Sequence, residues 1–343
     1  MTTPKWSVKS AQNLRLDVNE RMAKKQRWLA PIASAPAKWA IKFRHSVLKQ
    51  PVYQQRLKQV AFRMNQHADS AFDGYTPIAN DIIAAAYFKA GTNLLMHICY
   101  QISERGEGDF SHIQDVMPWP DAAQPKFWMN LFDLSAYQSR TGRRVIKTHL
   151  PATKVPVNDQ AKYIAVTRDP KDCAASGYYY FRSLIFGPTA PPSSIWLDHM
   201  ASKDAPFGRW DVFTASWYRL RKQPNVLFMR FDEIKNNPVD AIKTIAAFLE
   251  IDLSEEAVNM VVLKTSFKEM KANNHRFFPA MQSLWTSVNG SIIRKGQSGD
   301  GVALFDKENL SAFDADMEQG LKALGSDFPY AQHYSLSAKA AND

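Results

Sequence analysis

The sequence predicts an α/β fold, a mostly parallel sheet with helices on both faces. Three observations carry this. Four apolar runs of strand length stand at residues 82–87, 144–149, 162–167 and 225–231. Helical spacing follows: Leu94, Leu95 and Ile98 after the first run, then residues 208–222, 238–250 and 254–263. Three of the runs also deliver Lys89, His149 and Arg168 at or just past their ends. In parallel sheets that edge is where ligands bind.

The chain has 343 residues, 45% of them hydrophobic, enough for one large α/β domain or two small ones. Its formal charge of +10 is uneven. Residues 1–70 hold 14 Lys/Arg against 3 Asp/Glu, so the body is near neutral and the N-terminal part is the basic one. Such an arm suggests an anionic partner: a membrane surface, nucleic acid or an acidic protein. No apolar run is long enough to span a bilayer, and the basic first thirty residues lack the apolar core of a secretory leader. Cys99 and Cys173 form no CxxC and stand in apolar contexts, as buried thiols in a cytoplasmic setting would.

Residues 1–35, with Ala30-Pro31 and Ala35-Pro36, read as loosely ordered with at best a short helix. Residues 37–50 then show an amphipathic helix, with Trp39, Ala40, Phe43 and Val47 on one face and Lys38, Lys42, His45 and Lys49 on another. Pro51 interrupts it. Tyr53, Leu57, Val60, Ala61 and Met64 mark a second helix. Packing on the body or on another subunit is the first expectation for residues 37–64, and a peripheral membrane contact is the other. We read 1–72 as a basic, partly helical extension, 73–335 as the main domain and 336–343 as a tail.

Asp81 to Tyr100, DIIAAAYFKAGTNLLMHICY, is the stretch around which the rest is organised. It reads strand, tight loop, helix. Gly91 lets the backbone turn, and the loop feeds a helix N-terminus whose unpaired N–H groups and dipole favour an anion. Lys89 precedes the glycine and there is no second glycine, so this is not a Walker A loop. On its own the loop reads equally as a phosphate cradle or as an ordinary strand–turn–helix. Residues 104–125 form a long loop of the kind that makes lids or binding sites, and Trp119 within it lines a pocket or only anchors the loop. Lys147 and His149, two residues apart, leave their strand on one face. Pro170 suits the first turn of a helix carrying Cys173, Ser176, Tyr179 and Tyr180.

YFKAGTN, RVIKTHLP, YIAVTRDPKDCAASGYYYF, VLFMRFDEIKNNP, TSFKEMKANN and IIRKGQSGD, in this order, resemble the blocks of the cytosolic-type sulfotransferases over about residues 80–320. The resemblance implies a P-loop-like nucleotide-binding sulfotransferase fold. It also implies a transferase that moves a sulfuryl group from 3′-phosphoadenosine 5′-phosphosulfate to a hydroxyl or amine, with no metal. It further implies a 5′-phosphosulfate cradle at Lys89, Ala90, Gly91, Thr92, Asn93 and Leu94, and a 3′-phosphate site at Arg168, Ser176, Arg294, Lys295 and Gly296. Phe231, Trp217, Thr265, Phe267 and Met270 fall at adenine-side positions, Thr265 and Phe267 most firmly. His149 falls at the catalytic base, with Lys147 and Lys89 stabilising charge.

Departures stand beside the match. Leu94 replaces the family's loop tryptophan, Ala90 and Asn93 replace a serine and a threonine, Phe231 replaces a tyrosine, and Gly301 replaces the tryptophan of GDW. Val302, Asp306, Lys307 and Ser311 stand where relatives carry a short dimer motif, so a homo-oligomer would form some other way. Trp119, Tyr180, Phe181 and Phe186 suggest an aromatic pocket suited to a phenol, sterol, alcohol or lipid hydroxyl. The competing classes are a P-loop kinase using ATP, which would need a lysine after the glycine and a Mg²⁺-binding carboxylate, and a non-enzymatic membrane or nucleic-acid binder working through the arm.

Overall fold

The computed structural model describes residues 8–134, 138–278, 283–286 and 292–336. The sheet has four strands, β1 (Asp81–Ala86), β2 (Arg144–Thr148), β3 (Lys162–Thr167) and β4 (Val226–Arg230), in the order β2-β1-β3-β4. Every pairing is parallel. All four runs read as strands in the sequence form them, within a residue or two of the expected ends. All four therefore end on the same edge.

Thirteen helices surround the sheet among the described residues: α1 (Val8–Ser46), α2 (Val52–Asn65), α3 (Thr92–Ser103), α4 (Pro170–Phe181), α5 (Ser193–Ala201), α6 (Trp210–Arg219), α7 (Phe231–Asn236), α8 (Pro238–Phe248), α9 (Glu255–Thr265), α10 (Phe267–Ala272), α11 (Asp300–Leu304), α12 (Lys307–Ala323) and α13 (Tyr330–His333). Strand β1 is buried along its whole length, as a central parallel strand must be. Its side chains alternate. Ile82, Ala84 and Ala86 enter a core with Leu95 and Ile98 of α3, Ile242 of α8 and Val258 of α9. Ile83 and Ala85 enter the opposite core with Trp196 of α5, Trp210 of α6, Phe313 of α12 and Leu57 of α2. Helices thus cover both faces.

The N-terminal part differs from the expectation. Residues 8–35 are not loose; they belong to one 39-residue helix, α1, that runs through Pro31 and Pro36 to Ser46. Proline costs a helix about 3 kcal/mol through its missing N–H, which is why the sequence suggested breaks there. The rest of the stretch is rich in helix formers, and tertiary contacts fix the first half. Arg15 pairs with Asp115 and donates to the Phe127 carbonyl at 2.8 Å, and Gln12 donates to Asp115 at 3.0 Å. The span 37–64 divides. Val52, Leu57 and Ala61 of α2 are buried in the body, whereas Trp39 and Phe43 of α1 are exposed. Residues 1–7 of the arm and 337–343 of the expected tail lie outside the described residues.

No helix among the described residues is long and apolar enough to cross a membrane. None of them forms a group of three or more His, Cys, Asp or Glu able to hold a metal.

Candidate active site

The strand ends of β1, β2 and β3, with the start of α7 after β4, open onto one cavity of about 500 Å³. Lys89, Thr92, Lys147, His149, Arg168 and Phe231 all line it. The loop after β1 is built for close approach. Lys89 takes φ +65° and Gly91 φ +100°. A Cβ on Gly91 would stand 2.5 Å from Cδ2 of Phe231. Only glycine meets both demands. The turn aims the first N–H groups of α3 into the cavity, where no intrahelical acceptor reaches them.

Two lysines converge on this point. Lys89 Nζ lies 4.2 Å from the Tyr180 ring centroid, and Lys147 Nζ lies 3.2 Å from that of Trp119. Burial, then the Arg168 charge, pushes Lys89 down to about 7. Burial likewise pushes Lys147 down to about 7, with Asp121 opposing and Lys89 adding to the shift. Lys147, buried, and Lys89, half-buried, thus stand at a helix N-terminus short of negative charge. Thr92 Oγ1 and Arg168 Nε are buried with no hydrogen-bond partner. Orphaned donors of this kind beside unneutralised cations fit a bound polyanion.

His149 is held in one tautomer. Its Nδ1 is 2.8 Å from the Ala86 carbonyl, which only accepts, so Nδ1 carries the proton. Nε2 is left with its lone pair. The backbone N–H donates to Asp121 at 3.0 Å. Burial, then the Lys147 charge, holds the imidazole well below its ordinary range, so it stands neutral and ready to accept a proton. Its ring packs on Phe207 (4.4 Å between centroids) and Trp119 (5.6 Å).

The third wall comes from residues far along the chain. Arg168 donates to the Gln297 carbonyl at 2.8 Å, and its guanidinium lies 4.7 Å from the Phe231 centroid. The Asp172 carboxylate accepts from the N–H groups of Gly299 and Gly301 at 3.0 Å, which pins residues 297–301 to α4. Arg294 and Lys295 reach the cavity while paired with Asp300, Lys295 at 3.2 Å.

Of the residues expected at the site, Asn93, Leu94, Trp119, Ser176, Tyr180, Thr265, Phe267, Met270 and Gly296 also line this cavity. Ala90 is fully buried beneath it. Three expectations do not hold. Phe181 follows Tyr180 by one helical step and so turns away, into the core 5.1 Å from Trp196. Phe186 is buried in the same core, beneath the Arg56 guanidinium. Trp217 packs on Tyr163 in the core and donates to the Leu150 carbonyl at 3.0 Å, and it does not line the cavity.

Phe88, Trp119, Trp128, Tyr180, Phe207 and Met64 form the apolar side of the cavity. Phe207 and Met64 carried no sequence signal for this. Phe207 holds φ +61°, unusual for a phenylalanine. Asn65, at the end of α2, fixes it there. Its side chain accepts from the Phe207 N–H at 2.6 Å and donates to the Ala205 carbonyl at 3.1 Å.

Residues 79–325 match the family described as the sulfotransferase domain. Sulfotransferase 2B1 of Mus musculus is 32% identical over 244 residues, which cover 69% of this chain and 70% of that protein. Sulfotransferase 1E1 of Homo sapiens is 28% identical over 253 residues, 71% of this chain and 84% of that one. The fold matches that of mouse sulfotransferase SULT7A1 complexed with PAP, with a TM-score of 0.60 at 24% identity over 77% of this chain and 93% of that chain. It also matches retinol dehydratase in complex with androsterone and inactive cofactor PAP, with a TM-score of 0.63 at 19% identity over 78% and 88%. With the family's domain spanning most of its length and carrying the cavity described above, the chain belongs to the sulfotransferases, enzymes that transfer sulfo groups.

Proposed function

We propose that this enzyme moves a sulfuryl group from 3′-phosphoadenosine 5′-phosphosulfate to a hydroxyl of a small apolar acceptor, with His149 as the base. The single observation that carries the reading is the neutral His149, its Nε2 free, beside Lys89 and Lys147 at a helix N-terminus. The donor supplies an activated sulfuryl group on its 5′ side. Lys89, Gly91, Thr92, Asn93 and Leu94 hold that end through lysine charge, the threonine hydroxyl and helix N–H groups. Arg168, Ser176, Arg294, Lys295 and Gly296 hold the 3′-phosphate, and Phe231, Thr265 and Phe267 the adenine side. His149 Nε2 takes the acceptor's proton. Lys147 and Lys89 stabilise charge on the moving group and on the leaving phosphate oxygen. The wall of Phe88, Trp119, Trp128, Tyr180 and Phe207 suits a phenol, sterol or other apolar alcohol. We take residues 73–335 as the catalytic unit and residues 1–72 as an extension that braces it through Asn65.

The test is His149→Ala, assayed with labelled donor and a panel of phenols, sterols and alcohols. Turnover should fall roughly 10²–10⁴-fold while adenosine 3′,5′-bisphosphate binds as before. A variant that keeps its turnover removes His149 from the reaction.

A further inference from the structure

We propose that α1 is a docking surface for anionic lipid bilayers. The helix has two unlike faces. Met22, Gln26, Ala30, Ala33, Ala37 and Ile41 are half-buried at helical spacing and turn toward the body. The opposite face carries Trp28 (74% exposed), Ile32 (75%), Trp39 (68%) and Phe43 (38%) at i, i+4, i+11 and i+15, which is one stripe. Trp39 and Phe43 stack at 5.2 Å, so the stripe is continuous at its end. Two tryptophans this exposed in one row are costly in water. Tryptophan is favoured where one side is apolar and the other wet, as at a bilayer surface.

Charge selects the occupant. Residues 21–68 contain 11 lysines and arginines and no aspartate or glutamate. Arg21 and Lys25 extend the apolar stripe one turn toward the N-terminus, and Lys24 and Lys42 flank it, all exposed. A second copy of this chain would bring the same cations against each other, and the acids nearest them on the helix, Asp17 and Glu20, are already paired with Arg21 and Lys24. A nucleic acid would satisfy the lysines and leave Trp28 and Ile32 in water. An anionic bilayer satisfies both, because apolar side chains enter the headgroup boundary while lysines meet lipid phosphates. The helix is fastened by its other half through Arg15, Gln12 and Gln26. The stripe is thus presented on a fixed bracket. The same helix packs Leu14 and Val18 on the cluster of Trp119, Phe127 and Trp128, two of which line the cavity. The helix that carries the stripe thus also supports the wall of the acceptor pocket. The docking surface itself does not depend on the reaction proposed above.

The experiment is co-sedimentation of the full chain with vesicles of phosphatidylcholine alone or mixed with phosphatidylglycerol, at low and high salt. The expected result is binding to the mixed vesicles only, weakened by salt, with a blue shift of tryptophan emission. The variant W28S/W39S should bind about tenfold or more weakly. K24E/K42E should lose the preference for anionic lipid. Both should keep circular dichroism and sulfuryl transfer to a soluble acceptor, which would show that they fold. Three results overturn the proposal: no binding to mixed vesicles at low salt, equal binding to both lipids, or binding untouched by W28S/W39S. A dimer in light scattering that W28S/W39S dissolves, without vesicle binding, would assign the stripe to a second copy instead.

Discussion

Lys89 and Lys147, both pushed down to about 7 in the free protein, make donor-site affinity depend on pH. The sign follows from which form each state prefers. The empty site disfavours the charged ammonium, and a bound polyanion favours it. Each lysine therefore takes up a proton on binding wherever the pH lies above its free value and below its bound one. Raising the pH from 7 to 9 takes each free lysine from about half protonated to about one per cent. Affinity should then fall by up to roughly fifty-fold for each lysine that the bound polyanion keeps charged. His149 is already neutral and contributes nothing to the slope. A phosphate monoester, with a second pKa of about 6, is nearly fully ionised across the window. Calorimetric titration with adenosine 3′,5′-bisphosphate at several pH values, in buffers of different ionisation heat, measures affinity and proton uptake together. The variant K89M should flatten the slope by one of the two steps. An affinity constant from pH 7 to 9, with no proton uptake, would refute the picture of two lysines poised near neutrality.

Other outcomes follow from the same geometry. Gly91→Ala should cost more than about 1 kcal/mol from backbone strain alone and should displace Phe231. Thermal melts and bisphosphate titration should both register it. Arg168→Ala or Arg294→Ala should weaken adenosine 3′,5′-bisphosphate by about tenfold or more and adenosine 5′-phosphate far less, in side-by-side titrations; equal loss would put these arginines off the 3′-phosphate. Asn65→Ala, which frees the Phe207 N–H, should lower turnover and cost about 1–3 kcal/mol in denaturant unfolding, with bisphosphate affinity unchanged.

What could be read in advance was local. The four strands and the loop at Lys89 to Asn93 carry their geometry in consecutive residues, through apolar runs and one glycine. The cations at the strand ends follow directly from that. The errors arose where the answer lay in distant contacts. Pro31 and Pro36 signalled breaks that the helix spans, because Arg15 and Gln26 tie its first half to segments more than a hundred residues away. Phe181 stands beside Tyr180 among the aromatics that suggest a pocket, yet one step around a helix separates cavity from core. Phe207 could not be read at all. Its place depends on a positive φ in a turn, held by Asn65 of the distant helix α2.

The pairing of Arg294 and Lys295 with Asp300 has a kinetic consequence. On the 3′-phosphate site proposed above, a phosphate arriving at these cations would displace an anion the protein itself supplies, so each new ion pair would form at the expense of an existing one. On departure the exchange runs backwards, and Asp300 reclaims its partners as the phosphate leaves. For an enzyme whose spent nucleotide differs from its donor only at the far end, slow release would cap the cycle. A carboxylate waiting beside the binding arginine trades grip for traffic. On that reading Asp300 would loosen the grip on the nucleotide and quicken its release.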